Sequence, residues 1–385
     1  MANFEMTADI VIPPPLMGLI VNPIAGMGGS VGLKGTDGAS VLAEALRRGA
    51  HPLAGSKAIK ALCRIASACP DLRILTNCGA MGEDAARSAG FAPSVLPRQK
   101  ATSSSSADTK AAAAAMADHG VDLLMFVGGD GTARDIIEAV GNRVPVLGVP
   151  AGVKMHSAIF GTSPGNAGLL AGLYLCGHPS VSLRDAEIMD LDEAAVREDR
   201  VSSHLYGYAK SPYARRLAQN AKAGGGPDED ATLDAIARQV AADMQPGKLY
   251  ILGPGTTTRR VSHALGLPNT LLGVDAVLSG ALVGQDLNEQ ALLRLLEHRE
   301  AHIIVGVLGG QGSVFGRGNQ QISAEVIRRV GRDRITLIAS NEKLIALGSA
   351  PLRVDTGDED IDTLLTGHIR VEIGPGRSTR LRLTA

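Results

Sequence analysis

The sequence predicts an α/β protein built from more than one unit, and three observations carry that prediction. Short apolar runs alternate with stretches whose apolar residues recur at helical spacing, and several of the runs end in glycine-rich loops. The interior must be filled by Ala, Val, Leu and Ile, because 45% of the residues are hydrophobic but only 3% are aromatic and none is Trp. That composition, with 47 glycines, fits layered helices and strands better than a β-sandwich. A chain of 385 residues also exceeds what one hydrophobic core usually holds.

Taken in order, the run from Leu16 to Val21 reads as a buried parallel strand that ends at Asn22-Pro23 and opens into a glycine-dense loop. Residues 56 to 67 have helical periodicity, Arg73 to Thr76 forms a short strand, and Glu83 to Ala89 resumes helix. After a Thr102 to Ser106 loop, Asp108 caps an alanine-rich helix from Thr109 to His119 that stops at Gly120. The strand Leu123 to Val127, the helix Ala133 to Val140 and the strand Val144 to Val149 then make a β-loop-α-β unit.

Pro150-Ala151-Gly152 marks a change of domain, so residues 1–150 form the first α/β unit. Residues 151–223 read as a strand-rich connecting segment, with alternating polar and apolar positions from 181 to 209. Gly224-Gly225-Gly226-Pro227 reads as a linker into a second α/β unit, 224–385. Its predicted strands are Leu249 to Leu252, Leu271 to Val274, Ile303 to Val307, Ile335 to Ala339 and His368 to Ile373, with helices such as Glu289 to Glu297 and Ala324 to Val330.

With 38 Lys and Arg against 39 Asp and Glu, the formal charge is -1, which gives no electrostatic footprint for nucleic acid or an anionic membrane. An anionic ligand must therefore be held locally. The four cysteines lack paired C-x-x-C spacing and are too sparse for a disulfide scaffold, so they read as reduced thiols. The N-terminus fits neither a signal peptide nor an anchor, and no apolar stretch is long enough to span a bilayer; the expectation is a cytoplasmic protein.

The strongest local signal is Gly128-Gly129-Asp130-Gly131-Thr132, between a buried strand and a helix start. Glycines let a backbone approach a polyphosphate and expose amide donors to it, and the positive end of the helix dipole favours anions there. A carboxylate at Asp130 can orient or deprotonate a substrate hydroxyl, or hold a Mg²⁺ that bridges phosphates; it can equally be a helix cap. Gly253-Pro254-Gly255-Thr256-Thr257-Thr258-Arg259 repeats the strand-loop-helix pattern with three hydroxyls and a guanidinium, which makes it a second candidate anion site. Asp275 would lie at the same edge if the strands there are parallel.

Gly128 to Thr132 resembles the signature of the superfamily that holds NAD kinases, diacylglycerol kinases and sphingosine kinases, and Asn22-Pro23 followed by Gly26 resembles its upstream Asn-Pro loop. Gly253 to Arg259, Asn269 to Asp275, Gly309 to Gly312, Gly316 to Gln321 and Val354 to Asp358 extend the resemblance over nearly the whole chain, to the ATP-NAD kinase/AcoX-like branch. The resemblance implies an NAD kinase-like nucleotide-binding fold in the N-terminal unit. It also implies transfer of the ATP γ-phosphoryl group to the 2′-hydroxyl of NAD, giving NADP, with Mg²⁺ or another divalent cation travelling with ATP rather than in a fixed protein site. Asp130 would be the catalytic carboxylate, Gly128, Gly129, Gly131 and Thr132 the phosphate and ribose cradle, and Asn22 the residue that orders the facing loop. Better-characterised NAD kinases carry an Asn-Glu dipeptide after the first loop; the one match here, Asn341-Glu342, stands in a different context.

Lys154, just beyond a strand end, is placed to neutralise a phosphate, while His156 reads as an ordinary loop histidine. Gln311, Asn319 and Gln320 offer neutral hydrogen-bonding edges suited to a ribose or a base, or to closing an elaborate loop. The expected partners are small-molecule nucleotides, with a homo-oligomer as the default state. Two other functions share these features: a kinase for another alcohol or a lipid, and a nucleotide-binding regulatory protein without catalysis.

Overall fold

The computed structural model describes residues 13–29, 31–33, 39–97, 105–152, 155–191, 203–214, 217–218, 227–307, 312–348 and 350–385. Its first unit contains β1 (Leu16–Val21), α1 (Ala39–Arg47), α2 (Ala54–Ala68), β2 (Arg73–Thr76), α3 (Glu83–Ser88), β3 (Ser94–Val95), α4 (Ser106–Asp118), β4 (Leu123–Gly128), α5 (Asp130–Val140) and β5 (Val146–Pro150). The five strands form a sheet in the order β3-β2-β1-β4-β5, and every pairing is parallel. Both faces are covered, which is why β1 and β4 read as continuous apolar runs. Met17, Leu19, Val21, Leu123, Met125 and Val127 pack on one side with α2, whereas Ile20, Leu124 and Phe126 pack on the other with α4 and α5.

On α2 the buried residues Ala54, Ala58, Ala61, Leu62 and Ile65 form one stripe at helical spacing. Helix α4 starts earlier than the sequence suggests. Ser105 is its cap, and Asp108 sits three residues on, closing a reciprocal capping box. Helix α5 likewise begins at Asp130, not Ala133, so Asp130, Gly131 and Thr132 make up its first turn.

Beyond Pro150 the chain continues to pack on the first unit. Phe160 meets Phe126 edge to face at 5.4 Å between centroids. Helix α6 (Pro164–Leu175), capped by Ser163 with Pro at its start, joins the core on the α2 side. Strands β6 (Ser182–Leu191) and β7 (Ser203–Tyr213) then form a separate antiparallel pair, in the region where alternation predicted strands. The predicted Gly224–Gly226 linker lies outside the described residues.

The remainder comprises α7 (Pro227–Ala242), β8 (Leu249–Leu252), α8 (Thr256–Ala264), β9 (Asp275–Leu278), β10 (Ala281–Gly284), α9 (Glu289–Leu296), β11 (Ala301–Gly306), β12 (Ser313–Phe315), α10 (Ala324–Val330), β13 (Ile335–Ile338), α11 (Asn341–Leu347), β14 (Leu352–Val354), α12 (Glu359–Leu365), β15 (Gly367–Gly374) and β16 (Arg377–Thr384). Nine of these strands form one mixed sheet in the order β10-β9-β8-β11-β13-β15-β16-β14-β12. The expected strand Leu271 to Val274 is displaced to β9, which runs antiparallel to β8. The cause is the Ser279-Gly280 pair. Both residues have positive φ, 51° and 77°, and they close a two-residue hairpin between β9 and β10. Among the described residues, no helix is long and apolar enough to cross a membrane.

Candidate active site

Parallel strands deliver their carboxyl ends to one edge, and at that edge of the first sheet three loops meet. The backbone N–H of Asn22 donates to the Val127 carbonyl at 3.0 Å, and its side-chain Nδ2 donates to Thr132 Oγ1 at 3.0 Å. The Ala151 and Gly152 amides both donate to the Gly128 carbonyl, at 3.0 and 3.3 Å. Thus the Asn22-Pro23 turn, the Gly128–Thr132 segment and the residues after β5 are tied together. Gly26 is fixed by this packing: its φ is +77°, and a Cβ there would lie 1.9 Å from the Ala151 carbonyl oxygen. Gly26→Ala should therefore lower stability by about 1–3 kcal/mol, from strain and the displaced loop, read as a shift in the urea midpoint at constant slope.

Asp130 lies within this edge, only 7% exposed. One carboxylate oxygen accepts the His156 N–H at 2.7 Å; the other accepts the Ser157 N–H at 3.0 Å and the Ser157 hydroxyl at 2.5 Å. The residue expected to act on a substrate therefore also anchors the 156–157 loop. Burial raises its pKa above the ordinary carboxylate range, while Ser157, His156 and the charge of Arg317 oppose the rise. Gly129 is the extended cap residue of α5 and makes no side-chain cap, so the first-turn amides of the helix face the edge without an intrahelical partner.

The charge of Arg317, on the loop after β12 in the second unit, acts on this carboxylate. Arg317 is half-buried, and burial pushes its guanidinium down to about 9 against the opposing pull of Asp130 and Asp355. Helix α2 completes the arrangement. Lys60 Nζ lies 3.4 Å from Asp355 Oδ1, and burial lowers the pKa of Lys57, which is also coupled to Asp355 and Arg317. Lys57 and Lys60 are three residues apart and so share a helix face. Nothing local distinguishes that face from an ordinary solvated one; only the docking of the second unit makes it part of a charged cluster.

The second glycine-threonine loop sits at the end of β8 in the nine-stranded sheet, and its polar groups are largely committed within the second unit. Gly255 caps α8 with a φ of +120°, the Thr258 hydroxyl donates to the Gly255 carbonyl at 3.0 Å, and Lys343 donates to Thr257 Oγ1 at 3.2 Å. Thr256 and Arg259 are exposed, and Arg259 Nε donates to His263 Nε2 at 3.4 Å. Gly253 packs tightly on β11, since a Cβ there would lie 2.6 Å from Val305 Cγ1. The Asn341-Glu342 dipeptide opens α11 immediately before Lys343, and so borders this loop and not the first one.

Asp275 stands at this edge for a different reason from the one expected, since it starts an antiparallel strand instead of ending a parallel one. It is 2% exposed and accepts the Thr270 N–H, the Thr270 hydroxyl and the Asp286 N–H at 2.7, 2.6 and 3.0 Å. These bonds make it the brace of the 270–286 loop. Asn319 divides its amide: Nδ2 donates to the Val314 carbonyl at 2.7 Å, while Oδ1 is buried without a partner. Lys154 and Gln311 lie outside the described residues. Among the described residues, no group of three or more His, Cys, Asp or Glu is arranged to hold a metal ion.

The ATP-NAD kinase N-terminal domain matches residues 17–177, and the ATP-NAD kinase C-terminal domain matches residues 247–383. No curated protein matches the chain. Similar solved structures include a diacylglycerol kinase from Bacillus anthracis str. Sterne, 19% identical, covering 46% of this chain and 47% of that one with a TM-score of 0.25. A presumptive diacylglycerol kinase from the same organism is 19% identical, covering 46% of this chain and 45% of its own, also at a TM-score of 0.25. The chain thus spans just under half the length of the solved structures it matches.

Proposed function

The chain belongs to the ATP-NAD kinase family, a kinase family, and on that premise we propose that it transfers the γ-phosphoryl group of ATP to the 2′-hydroxyl of NAD, forming NADP and ADP. The observation that carries this reading is the buried Asp130 carboxylate at the first turn of α5, held in one orientation by His156 and Ser157, with the charge of Arg317 from the second unit acting on it. A hydroxyl acceptor needs a carboxylate to receive its proton, and the transferring phosphoryl group needs positive charge around it. These two requirements meet between the units.

In this reading the acceptor hydroxyl donates to an Asp130 oxygen, attacks the γ-phosphorus and passes its proton to that carboxylate as the bond to the ADP oxygen breaks. The 156–157 loop fixes the carboxylate orientation through three hydrogen bonds. The first-turn amides of α5 bind phosphate oxygens, and Asn22 holds Thr132 in place beside them. Arg317 offsets the phosphate charge, and Lys57, whose charge acts on it, adds to the positive field.

Mg²⁺ carried by ATP would neutralise part of the triphosphate charge when bound. The donor set fits a metal held mainly by phosphates, because the Asp130 oxygens already accept three N–H and O–H donors and Asp355 faces Lys60.

The test is to incubate purified protein with Mg²⁺, ATP and NAD and follow NADP with an NADP-specific dehydrogenase. NADP that depends on both substrates is the expected outcome. ATP binding by calorimetry without NADP would remove NAD as the acceptor.

A further inference from the structure

We propose that the cavity between the two units seats the heterocycle of a nucleotide, recognised through the Gln320 side-chain amide; the inference rests on the nucleotide-acceptor reading above and assigns part of its specificity. The cavity has a volume of about 260 Å³ and is lined from the first unit by Val31, Arg48, His51 and Leu53 and from the second by residues that include Gln320 and Ile322. That volume lies just below the usual range for a whole ligand, so it suits one ring system and not a dinucleotide.

Two observations say what kind of group belongs there. First, Gln320 lines the cavity, and its Oε1 is buried without a hydrogen-bond partner. An unpaired buried carbonyl is unfavourable, and a donor on a bound ligand would recover that cost. Its immediate neighbours repeat the pattern: Asn319 and Gln321, 5% and 3% exposed, each bury an unpartnered amide oxygen. Of the three, Gln320 is the one that lines the cavity, so its acceptor is the one a bound group would meet there.

Second, the cavity is not built for phosphate. Arg48 already pairs with Glu44 and donates to the Val31 carbonyl, and Glu289 adds a carboxylate to the lining. Val31, Leu53 and Ile322 supply an apolar wall. The lining therefore combines apolar surface and neutral amides with His51, a carboxylate and an arginine already paired to Glu44, which complements a flat ring bearing N–H donors better than a phosphate. An adenine amino group and a nicotinamide carboxamide share that chemistry.

The position also links the cavity to the reacting groups. Gly316 and Thr356 line it, and their chain neighbours are Arg317 and Asp355. Gly316 has a φ of +86°, and a Cβ on it would lie 1.6 Å from the Asp355 carbonyl oxygen, so the two loops are in contact. A ring in the cavity would have its sugar and phosphate directed toward the Arg317 side.

The test is calorimetric binding of AMP, nicotinamide mononucleotide and ribose 5-phosphate to the full chain and to its Gln320→Leu and Gln320→Glu variants. At least one ring-bearing nucleotide should bind more tightly than ribose 5-phosphate, and Gln320→Leu should weaken it about tenfold or more while leaving ribose 5-phosphate unchanged. Gln320→Glu keeps the acceptor and should retain more of the affinity than Leu. Whichever of AMP and nicotinamide mononucleotide is affected identifies the ring. Unchanged ring binding in Gln320→Leu, equal weakening of all three ligands, or no advantage of a ring over ribose 5-phosphate would overturn the proposal. A ring effect in a protein that forms no NADP would retain the cavity assignment and discard NAD as the acceptor.

Discussion

Asp130→Asn is expected to lower kcat by roughly 10²–10⁴, the usual contribution of a positioned general base, while ATP still binds. The structure adds a second consequence. Both Asp130 oxygens accept donors from His156 and Ser157, so an amide must set its NH₂ against at least one of them. The substitution should therefore also cost about 1–3 kcal/mol of stability. The two roles separate in one comparison: Ser157→Ala removes a donor to the carboxylate but leaves the base. If Asp130 only braces the loop, both variants will lose activity in step with stability. If it takes the proton, Asp130→Asn will lose far more activity than its destabilisation explains, and Ser157→Ala will retain most of its turnover. Because burial raises the Asp130 pKa, its contribution to stability is present below the ordinary carboxylate range and is lost as pH rises through the raised value.

Arg317→Gln should reduce kcat/KM by on the order of 10²–10³, the scale of losing one group that stabilises developing charge. Its pH profile carries the sharper test. Arg317 lowers the pKa of Asp130, so its removal should move the acidic limb of kcat/KM to higher pH. Arg317→Lys keeps the charge without the planar fork; it should hold the limb near its original position while restoring only part of the rate. A limb that stays in place in Arg317→Gln would mean that the guanidinium does not act on the base that titrates in catalysis.

The strands that bear the first site were legible because their faces are both buried. Leu16–Val21 and Leu123–Gly128 stand where continuous apolar runs place them, and Leu249–Leu252 does so in the second sheet. Local apolar patterning misled at one strand. Leu271 to Val274 reads as strand, but the left-handed Ser279-Gly280 pair sets the register of the hairpin and moves the strand four residues on. The same shift turned Asp275 from a candidate ligand into a buried brace.

The sequence by itself determined the parallel sheet, the Gly128–Thr132 segment at its carboxyl edge and the family to which these belong, because strand periodicity and glycine placement are written within a few residues of one another. Only the tertiary structure decided that the charge of Arg317 acts on Asp130, that Asp355 pairs with Lys60 of α2, and that Gln320 and Leu53 line one cavity. Those relations join residues separated by most of the chain. No local pattern encodes them; they arise when two separately patterned units bury their edges against each other and leave polar groups to find partners across the join.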